Sequence, residues 1–349
     1  MNAGALRWDG AAVARRVLTI SSQLIFVERE KFGSVEACSA ELKNLVVVGG
    51  AVLDVTCSPL TKLIAQTSNP ANIYFSWGGV GRNIAEAAHR LGVPTLLVSA
   101  VATDITGKAL LQSCQDIGLS TSLLISLPSP PHTTGTYVSN HDEKGEMVHG
   151  YADMKICDEM IPSVVMTPQI QQALKQAGLV LLDANLPSIT LFSIAQFCDA
   201  HNVPVWFESV SIKKCTKILE THTNTQTQNQ IQTQAIYYLS YLSANEAEVL
   251  CLSQHLPHTP VAPHGTVLSV HFSSNLGISE STLDAAATVM KYAKKLKCLF
   301  VTLGAKGSIC LVRSSHTDGI DCYHIPALAI PQIVSVSGAG DSFSAGCAA

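Results

Sequence analysis

The chain has 349 residues, a length that suits either two domains or one large α/β domain. Hydrophobic residues make up 47 % of it and charged residues only 14 %, which excludes disorder for most of the chain. No run approaches the roughly 20 apolar residues of a membrane span, and a net charge of −4 without a basic stripe argues against nucleic acid as a partner.

The first 44 residues differ from the rest in periodicity and are expected to form an N-terminal extension, either disordered or used for targeting. Arginines outnumber acids in the opening stretch, as in a transit peptide, but Glu28, Glu30 and Glu36 follow. The eleven cysteines include no Cys-x-x-Cys pair, and no secretory signal precedes them, which predicts reduced thiols. We therefore expect a cytoplasmic protein, with mitochondrial import as the alternative.

From Leu45 onward, strand-like and helix-like blocks alternate. Runs of Val, Leu and Ile at 45–48, 179–182 and 299–303 are typical of strands buried on both faces of a parallel sheet. Residues 80–91 carry apolar side chains at helical spacing, and a Gly-Val-Pro stop separates them from a short strand. This alternation predicts an α/β fold with a parallel sheet and helical crossovers.

Two kinds of segment interrupt the alternation. Residues 122–151 have alternating side chains around a polar turn, which predicts an antiparallel hairpin appended to the main sheet. The segments at about 221–235 and 255–280 are predicted to be loop insertions, since the first is nearly all Thr, Gln and Asn and the second has prolines and little periodicity. Neither insertion is a domain boundary, because α/β blocks resume after each.

The most informative motif lies at 335–343, where an extended run leads through Gly338-Ala339-Gly340 into a helix. Small residues let the backbone approach a ligand, and the N–H groups of a helix N-terminus attract anions. Asp341 beside them would repel a phosphate, unless it serves as the general base for an attacking hydroxyl while the amides stabilise the transferring phosphoryl group. The alternative is an ordinary helix start with an acidic first turn.

This turn resembles a signature of the PfkB carbohydrate kinase family, which includes ribokinase, adenosine kinase and fructokinase. The glycine pair and asparagine in Gly78-Gly79-Val80-Gly81-Arg82-Asn83 resemble the family's other signature, which grips the sugar. Asp54 lies where the family has a carboxylate that accepts hydrogen bonds from sugar hydroxyls. The resemblance implies catalytic roles for Gly338, Ala339, Gly340 and Asp341, and substrate binding by Asp54, Gly78, Gly79, Arg82 and Asn83.

Three later motifs follow in the order that the family shows. The strand end at 182–185 resembles its Asp-x-Asn near the phosphate site, and residues 245–248 resemble N-x-x-E, whose acid acts on Mg²⁺ largely through water. Residues 302–307 resemble the T-x-G-x-x-G turn that lies along the nucleotide. The resemblance implies ATP and Mg²⁺ as cofactors, nucleotide binding by Asn185, Asn245, Thr302, Gly304 and Gly307, and metal binding by Glu248.

Other interpretations of these segments are disfavoured by their spacing. The glycines at 78–81 lack the G-x-G-x-x-G spacing of a dinucleotide fingerprint, and the turn around Lys306 lacks the arch of a Walker A loop. Four histidines at 255–271 suggest zinc, but a solvated loop is favoured because no cysteine or carboxylate spacing supports a metal site.

The resemblance also implies an architecture. We expect a ribokinase-like three-layer sandwich over 45–349, with a mostly parallel central sheet and a small β lid built from about 55–76 and 122–151. Lids in this family often pair into dimers, so a homodimer through the lid is a further expectation. The expected partner is otherwise a small molecule, with neither nucleic acid nor membrane.

Within the family, residues 79–86 and the Val-Ser-Gly before Ala339 are most similar to the pseudouridine kinases. This similarity implies transfer of the ATP γ-phosphate to the 5′-hydroxyl of pseudouridine. The alternatives are another nucleoside or sugar kinase of the same family, or a catalytically poor form that binds nucleoside without turnover.

Two departures from the family pattern bear on this interpretation. Ser335 occupies a position where many relatives have an Asp of a monovalent-cation site, so K⁺ activation is not expected. The chain ends eight residues after Asp341, whereas the family continues with helices that complete the nucleotide pocket. On this comparison we expect the C-terminal part of the fold to be missing.

Overall fold

A computed structural model of the chain describes residues 43–223, 232–257, 268–271, 277–314, 319–328 and 338–349. Several sequence predictions lie outside these residues: nearly all of the N-terminal extension, the middle of the Thr/Gln/Asn tract, His258, His264 and Ser335. The side chain of His271 is likewise not described.

Sixteen strands are defined within the described ranges: β1 (Leu45–Val48), β2 (Val52–Pro59), β3 (Ala71–Gly78), β4 (Thr95–Ala102), β5 (Leu124–Leu127), β6 (Thr136–His141), β7 (Met147–Asp153), β8 (Leu179–Asp183), β9 (Val205–Glu208), β10 (Thr221–Thr223), β11 (Gln232–Gln234), β12 (Tyr241–Asn245), β13 (Leu268–His271), β14 (Cys298–Thr302), β15 (Ser308–Arg313) and β16 (Ile320–Ile325).

The α-helices of the same ranges are α1 (Val80–Arg90), α2 (Ile105–Asp116), α3 (Lys155–Asp158), α4 (Pro162–Val165), α5 (Pro168–Gln176), α6 (Ser188–Ala200), α7 (Ile212–Cys215), α8 (Glu246–His255), α9 (Glu280–Tyr292) and α10 (Ala339–Ala348). Short 3₁₀ helices cover Thr216–Leu219, Ala235–Tyr238 and Gly304–Lys306.

Ten strands form the central sheet in the order β13-β16-β15-β14-β12-β9-β8-β1-β4-β5. Neighbouring strands run parallel except where β15 pairs with β14 and with β16. Alternate residues of β1 enter two separate apolar cores, Val46 and Val48 in one and Leu45 and Val47 in the other. Both faces of the sheet are therefore covered, as the unbroken apolar runs predicted.

A second sheet has four strands in the order β3-β2-β6-β7. The predicted hairpin is present as the antiparallel pair β6 and β7, but the prediction that the hairpin begins at residue 122 is wrong. Residues 124–127 form β5, which pairs in parallel with β4 in the central sheet because α2 returns the chain beside β4. The small sheet leaves Ile73, Phe75 and Tyr151 more than half exposed. Pairing of two copies through this sheet stays a prediction.

Both segments predicted to be loop insertions contain strands. The ends of the Thr/Gln/Asn tract pair as the short antiparallel strands β10 and β11. In the second segment, α8 extends to His255 and β13 pairs in parallel with β16 at the edge of the central sheet. The pairing of β10 with β11 could not be predicted because both strands are polar. The strand β13 could not be predicted because four residues are too few to show a period.

Two further features concern compartment and membrane. None of the ten cysteines in the described ranges forms a disulfide. Among the helices of those ranges, none has the length and apolar content needed to cross a membrane.

Asp183, the last residue of β8, is fully buried and accepts three backbone hydrogen bonds. Its Oδ2 accepts from the N–H groups of Gly50 and Gly81, and its Oδ1 from that of Asn185, each at 2.8 Å. A Cβ at Gly49 would lie 2.2 Å from Oδ2, so only glycine permits this approach. Asp183 thereby fixes the turn after β1 and the first turn of α1 against the end of β8.

We predict that Asp183→Ala lowers the free energy of unfolding by about 3 kcal/mol or more, because each of three buried amides loses its acceptor at a cost of roughly 1–3 kcal/mol. Urea unfolding followed by circular dichroism measures the change. Asp142→Ala is the matched control, since Asp142 also accepts two backbone amides but in the exposed turn between β6 and β7, where water replaces it. Equal losses in the two variants would contradict this account of Asp183.

Candidate active site

A cavity of about 210 Å³ lies where β9, β12 and β14 end, next to the N-terminus of α10. The carboxyl ends of parallel strands are the usual ligand-binding edge of an α/β sheet. Seven of the predicted site residues line this cavity: Asn245, Glu248, Thr302, Gly338, Ala339, Gly340 and Asp341.

The start of α10 gives this cavity its anion-binding character. Gly338 has φ 73°, the left-handed conformation that glycine adopts without strain, and it precedes the first residue of the helix. Ser342 N–H is bonded to Gly338 C=O at 2.9 Å. The backbone N–H groups of 339–341 precede that first helical hydrogen bond. They therefore have no acceptor within the helix and can donate to a ligand.

Asp341 stands at this helix start with its carboxylate oriented by Asn83. Asn83 Nδ2 donates to Asp341 Oδ2 at 2.8 Å, which joins α1 to α10. Burial raises the pKa of Asp341 to about 6; the Asn83 hydrogen bond opposes this shift, and the charges of Asp183 and Asp54 add to it. A carboxylate with a pKa near the working pH suits a general base.

The two glycines before α1 allow close contacts that any side chain would block. A Cβ at Gly78 would lie 1.8 Å from Asp54 Oδ2, and a Cβ at Gly79 would lie 2.5 Å from Gly50 C=O. Gly79 also has φ 92°. Burial raises the pKa of Asp54, opposed by the positive charge of Arg82. The glycine pair thus lets the carboxylate of Asp54 lie directly against the residues that precede α1.

Arg82, predicted to bind substrate, is only 3 % exposed. Its Nη1 donates to Glu86 Oε2 at 2.7 Å and to Trp77 C=O at 3.3 Å. These contacts make it an internal ion pair of α1, which is the structural role that an arginine takes when buried. Its positive charge also reaches Asp54, where it opposes the rise in the pKa of that carboxyl group, and substrate binding by Arg82 stays a prediction.

Asn245 and Glu248 form the start of α8 together. Asn245 Oδ1 accepts from Glu248 N–H and Glu248 Oε2 accepts from Asn245 N–H, both at 2.9 Å, so the pair is a capping box. Glu248 is 4 % exposed, and burial raises the pKa of its carboxyl group. The N-x-x-E motif is therefore explained locally by helix capping as well as by its place in the cavity.

The oxygen atoms of this cavity fit Mg²⁺. Carboxylate oxygens are the ligands it prefers, and it is usually held by one or two carboxylates together with waters and substrate phosphates rather than by a complete protein cage. In the part of the chain that the structure describes, no three side chains of His, Cys, Asp or Glu are grouped as a ready metal site. Glu248 is the residue that would hold the ion through water.

Thr302 ends β14 and lines the cavity, whereas Gly304 and Gly307 shape the turn that follows it. Both glycines have positive φ, 59° and 92°. A Cβ at Gly307 would lie 2.1 Å from Ile325 C=O, so the turn packs against the end of β16. The two glycines thus act on the cavity by setting the path of the chain beyond Thr302.

Asn185 lies beyond Asp183, outside the cavity lining, and near two lysines that the sequence analysis did not single out. Lys214 Nζ donates to Asn185 Oδ1 at 2.5 Å, and Lys217 Nζ donates to Leu186 C=O at 2.9 Å. Burial and the charge of Lys214 lower the pKa of Lys217. Asn185 is therefore held by the Lys214 cation and by Asp183.

Three further residues of this region were missed by sequence reasoning: Glu208, Ser243 and Ser344, all of which line the cavity. Burial raises the pKa of Glu208 to about 7, opposed by hydrogen bonds from the two serines, while the charges of Asp341 and Glu248 add to the increase. Glu208 ends the apolar run Val-Trp-Phe, and a carboxylate in that place is a signal that could have identified it.

The chain is similar to known carbohydrate kinases. A family model described as pfkB family carbohydrate kinase matches residues 42–349. The chain is 28 % identical over 310 residues to a pseudouridine kinase of Escherichia coli, covering 88 % of this chain and 83 % of the relative. It is 26 % identical to a pseudouridine kinase of Arabidopsis thaliana, covering 60 % of this chain and 50 % of the relative.

Solved structures of low sequence identity share the fold. Arabidopsis thaliana ribokinase, solved with ribose and ATP, superposes with a TM-score of 0.65 at 22 % identity, covering 87 % of this chain and 84 % of that one. Ribokinase from Cryptococcus neoformans, solved with ADP, gives 0.61 at 20 % identity, covering 87 % and 85 %. The ribokinase-like three-layer arrangement with its small β sheet is confirmed. With the family model spanning residues 42–349, the chain belongs to the pfkB family of carbohydrate kinases.

Proposed function

We propose that this kinase transfers the γ-phosphate of ATP to the 5′-hydroxyl of a nucleoside, and that the nucleoside is pseudouridine. The observation that carries the proposal is the position of Asp341, hydrogen-bonded to Asn83 at the N-terminus of α10 beside the cavity. A base and a set of anion-binding amides on adjacent residues are what phosphoryl transfer to a hydroxyl requires.

The proposal assigns a role to each group of the site. Asp54 and Asn83 hold the ribose hydroxyls; Asn83 donates one amide hydrogen to Asp341, which leaves its second hydrogen and its oxygen for the sugar. Asp341 accepts the proton of the 5′-hydroxyl as the oxygen bonds to the γ-phosphorus, and the bond from that phosphorus to the bridging oxygen breaks to release ADP. The amides of 339–341 stabilise the charge on the transferring group. Bound Mg²⁺ would neutralise phosphate charge.

The remaining residues serve the nucleotide and the exclusion of water. Asn245 and Thr302, which line the cavity, lie along ATP, and Gly304 and Gly307 shape the adjoining turn. The nucleotide-binding role of Asn185, which lies outside the cavity lining, rests on the family resemblance alone. The four-stranded sheet that carries Asp54 covers the sugar as a lid. Water exclusion there favours transfer to the nucleoside over hydrolysis of ATP.

The choice of pseudouridine rests on the relatives. The Escherichia coli protein, which is named a pseudouridine kinase, shares 28 % identity over most of both chains. Ribokinases and a guanosine-inosine kinase of Exiguobacterium acetylicum are also similar, at 24 to 25 % identity. Another nucleoside or ribose is therefore the second candidate substrate.

We predict that the purified protein releases ADP from Mg-ATP in the presence of pseudouridine, and that Asp341→Asn lowers kcat by about two to four orders of magnitude. Nucleoside binding, measured by calorimetry, should change little because the sugar contacts remain. A panel of nucleosides and sugars assayed by ADP production tests the substrate at the same time. If the protein phosphorylates another member of the panel but not pseudouridine, the pseudouridine assignment is overturned. If nucleoside binds but no member of the panel causes ADP release, the kinase proposal for this chain is overturned.

The raised pKa of Asp341 predicts a pH profile. A base must be ionised to accept a proton, so kcat/KM should be constant above pH 7 and fall about tenfold per unit below the pKa of about 6. Asn83→Ala removes the hydrogen bond that lowers this pKa and should move the acidic limb to higher pH. Glu208→Gln removes a second cavity carboxyl group, whose pKa burial raises to about 7, and should leave the limb in place. A limb that followed Glu208 instead would refute the assignment of the base.

A further inference from the structure

Glu208, Ser243 and Ser344 form a hydrogen-bonded cluster, the serine–glutamate cluster, between β9, β12 and α10. Ser243 Oγ and Ser344 Oγ each donate to Glu208 Oε2 at 2.5 Å. Trp206 Nε1 donates to Ser243 Oγ at 2.7 Å, which leaves the hydroxyl proton of Ser243 for the glutamate. The two serines and Glu208 are 1 to 9 % exposed. The cluster is therefore a buried polar connection from two sheet strands to the helix.

The serine–glutamate cluster is bonded to α10, the helix that carries Asp341. Ser344 follows Asp341 by three residues, so the two side chains lie on the same face of α10, one turn apart. Both line the cavity. A displacement or rotation of α10 at Ser344 would therefore move Asp341 and the amides before it.

The other contacts of α10 hold the helix at different points. Phe343 contacts Phe300 of β14 edge-on, with ring centroids 5.9 Å apart, and apolar packing of this kind tolerates small shifts. Asn83 reaches Asp341 from α1, which Asp183 holds against the end of β8, so this bond acts at the first turn of α10 and not at Ser344. Ser344 Oγ donates to Glu208 Oε2 and lies 3.2 Å from Ser243 Oγ, so these polar contacts tie α10 directly to β9 and β12 of the central sheet.

We infer that Glu208 is a positioning residue: through Ser344 it fixes α10 so that Asp341 and the amides of 339–341 meet the reacting atoms. The inference rests on the proposed function for its kinetic part. What the cluster needs from Glu208 is one acceptor oxygen, since both hydroxyls donate to Oε2. Glutamine supplies such an oxygen, whereas leucine fills similar space and supplies none.

The test compares Glu208→Gln, Glu208→Leu and Ser344→Ala. Glu208→Leu and Ser344→Ala should lower kcat about tenfold or more, because a buried acceptor or donor is lost and α10 shifts, while the nucleoside KM stays within about twofold. Glu208→Gln should keep kcat within about threefold of the wild-type value. Amide hydrogen exchange of 339–348 should be at least about tenfold faster in the first two variants and unchanged in the third.

A double-mutant cycle separates this role from two unrelated effects. If Ser344 and Glu208 act through each other, adding Ser344→Ala to Glu208→Leu should change kcat and exchange little further. Additive effects in the double mutant, or wild-type kcat and exchange in Ser344→Ala, would overturn the inference. So would a Glu208→Gln variant as impaired as Glu208→Leu, because it would mean that the negative charge of Glu208 is needed. If the wild-type protein phosphorylates nothing, the proposed function fails, and the exchange measurements still decide the positioning role.

Discussion

Carboxylates held out of water are the constraint on which this site depends. Asp183 is fully buried, Glu208 and Glu248 are nearly so, and Asp341 is held at a raised pKa. A buried carboxylate is stable only where donors surround it, because desolvation otherwise costs several kcal/mol. Glu248 is met by Asn245 in its own helix turn, but donors to the other three carboxylates come from distant parts of the chain, so satisfying them also joins those parts.

Each carboxylate consequently holds a separate piece of the site. Asp183 draws the turn after β1 and the start of α1 onto the end of β8. Glu248 closes the first turn of α8, and Asp341 is linked through Asn83 to α1. The same burial that demands these hydrogen bonds raises the pKa values of Asp341 and Glu208 toward neutrality. Architecture and acid–base chemistry therefore have one physical cause.

Much of this arrangement could be predicted from the sequence, because it follows from local patterns. The apolar runs at 45–48 and 179–182 are central strands, and the glycine turn at 338–340 opens α10 beside the cavity. Asn245 and Glu248 were identified through their resemblance to the N-x-x-E motif, whereas the capping box that they form was not predicted. Family resemblance added the order of the motifs, which no single motif could supply.

What could not be predicted depends on contacts between distant residues. Glu208 and Ser344 are 136 residues apart, and nothing in either neighbourhood indicates the partner. Arg82 lies within a strong motif, yet its guanidinium turns to Glu86, a choice made by packing. The strand β13 and the pair β10 and β11 are too short or too polar to show a period, so their pairing was visible only in the fold.

The central claim is that Asp341 meets the hydroxyl that is phosphorylated. A crystal structure of the protein with pseudouridine and a non-hydrolysable ATP analogue measures this directly. The account predicts a carboxylate oxygen of Asp341 within about 2.6–3.2 Å of the 5′-oxygen, with the terminal phosphate at the amides of 339–341. A nucleoside whose 5′-oxygen points away from Asp341, or a terminal phosphate bound away from the start of α10, would contradict it.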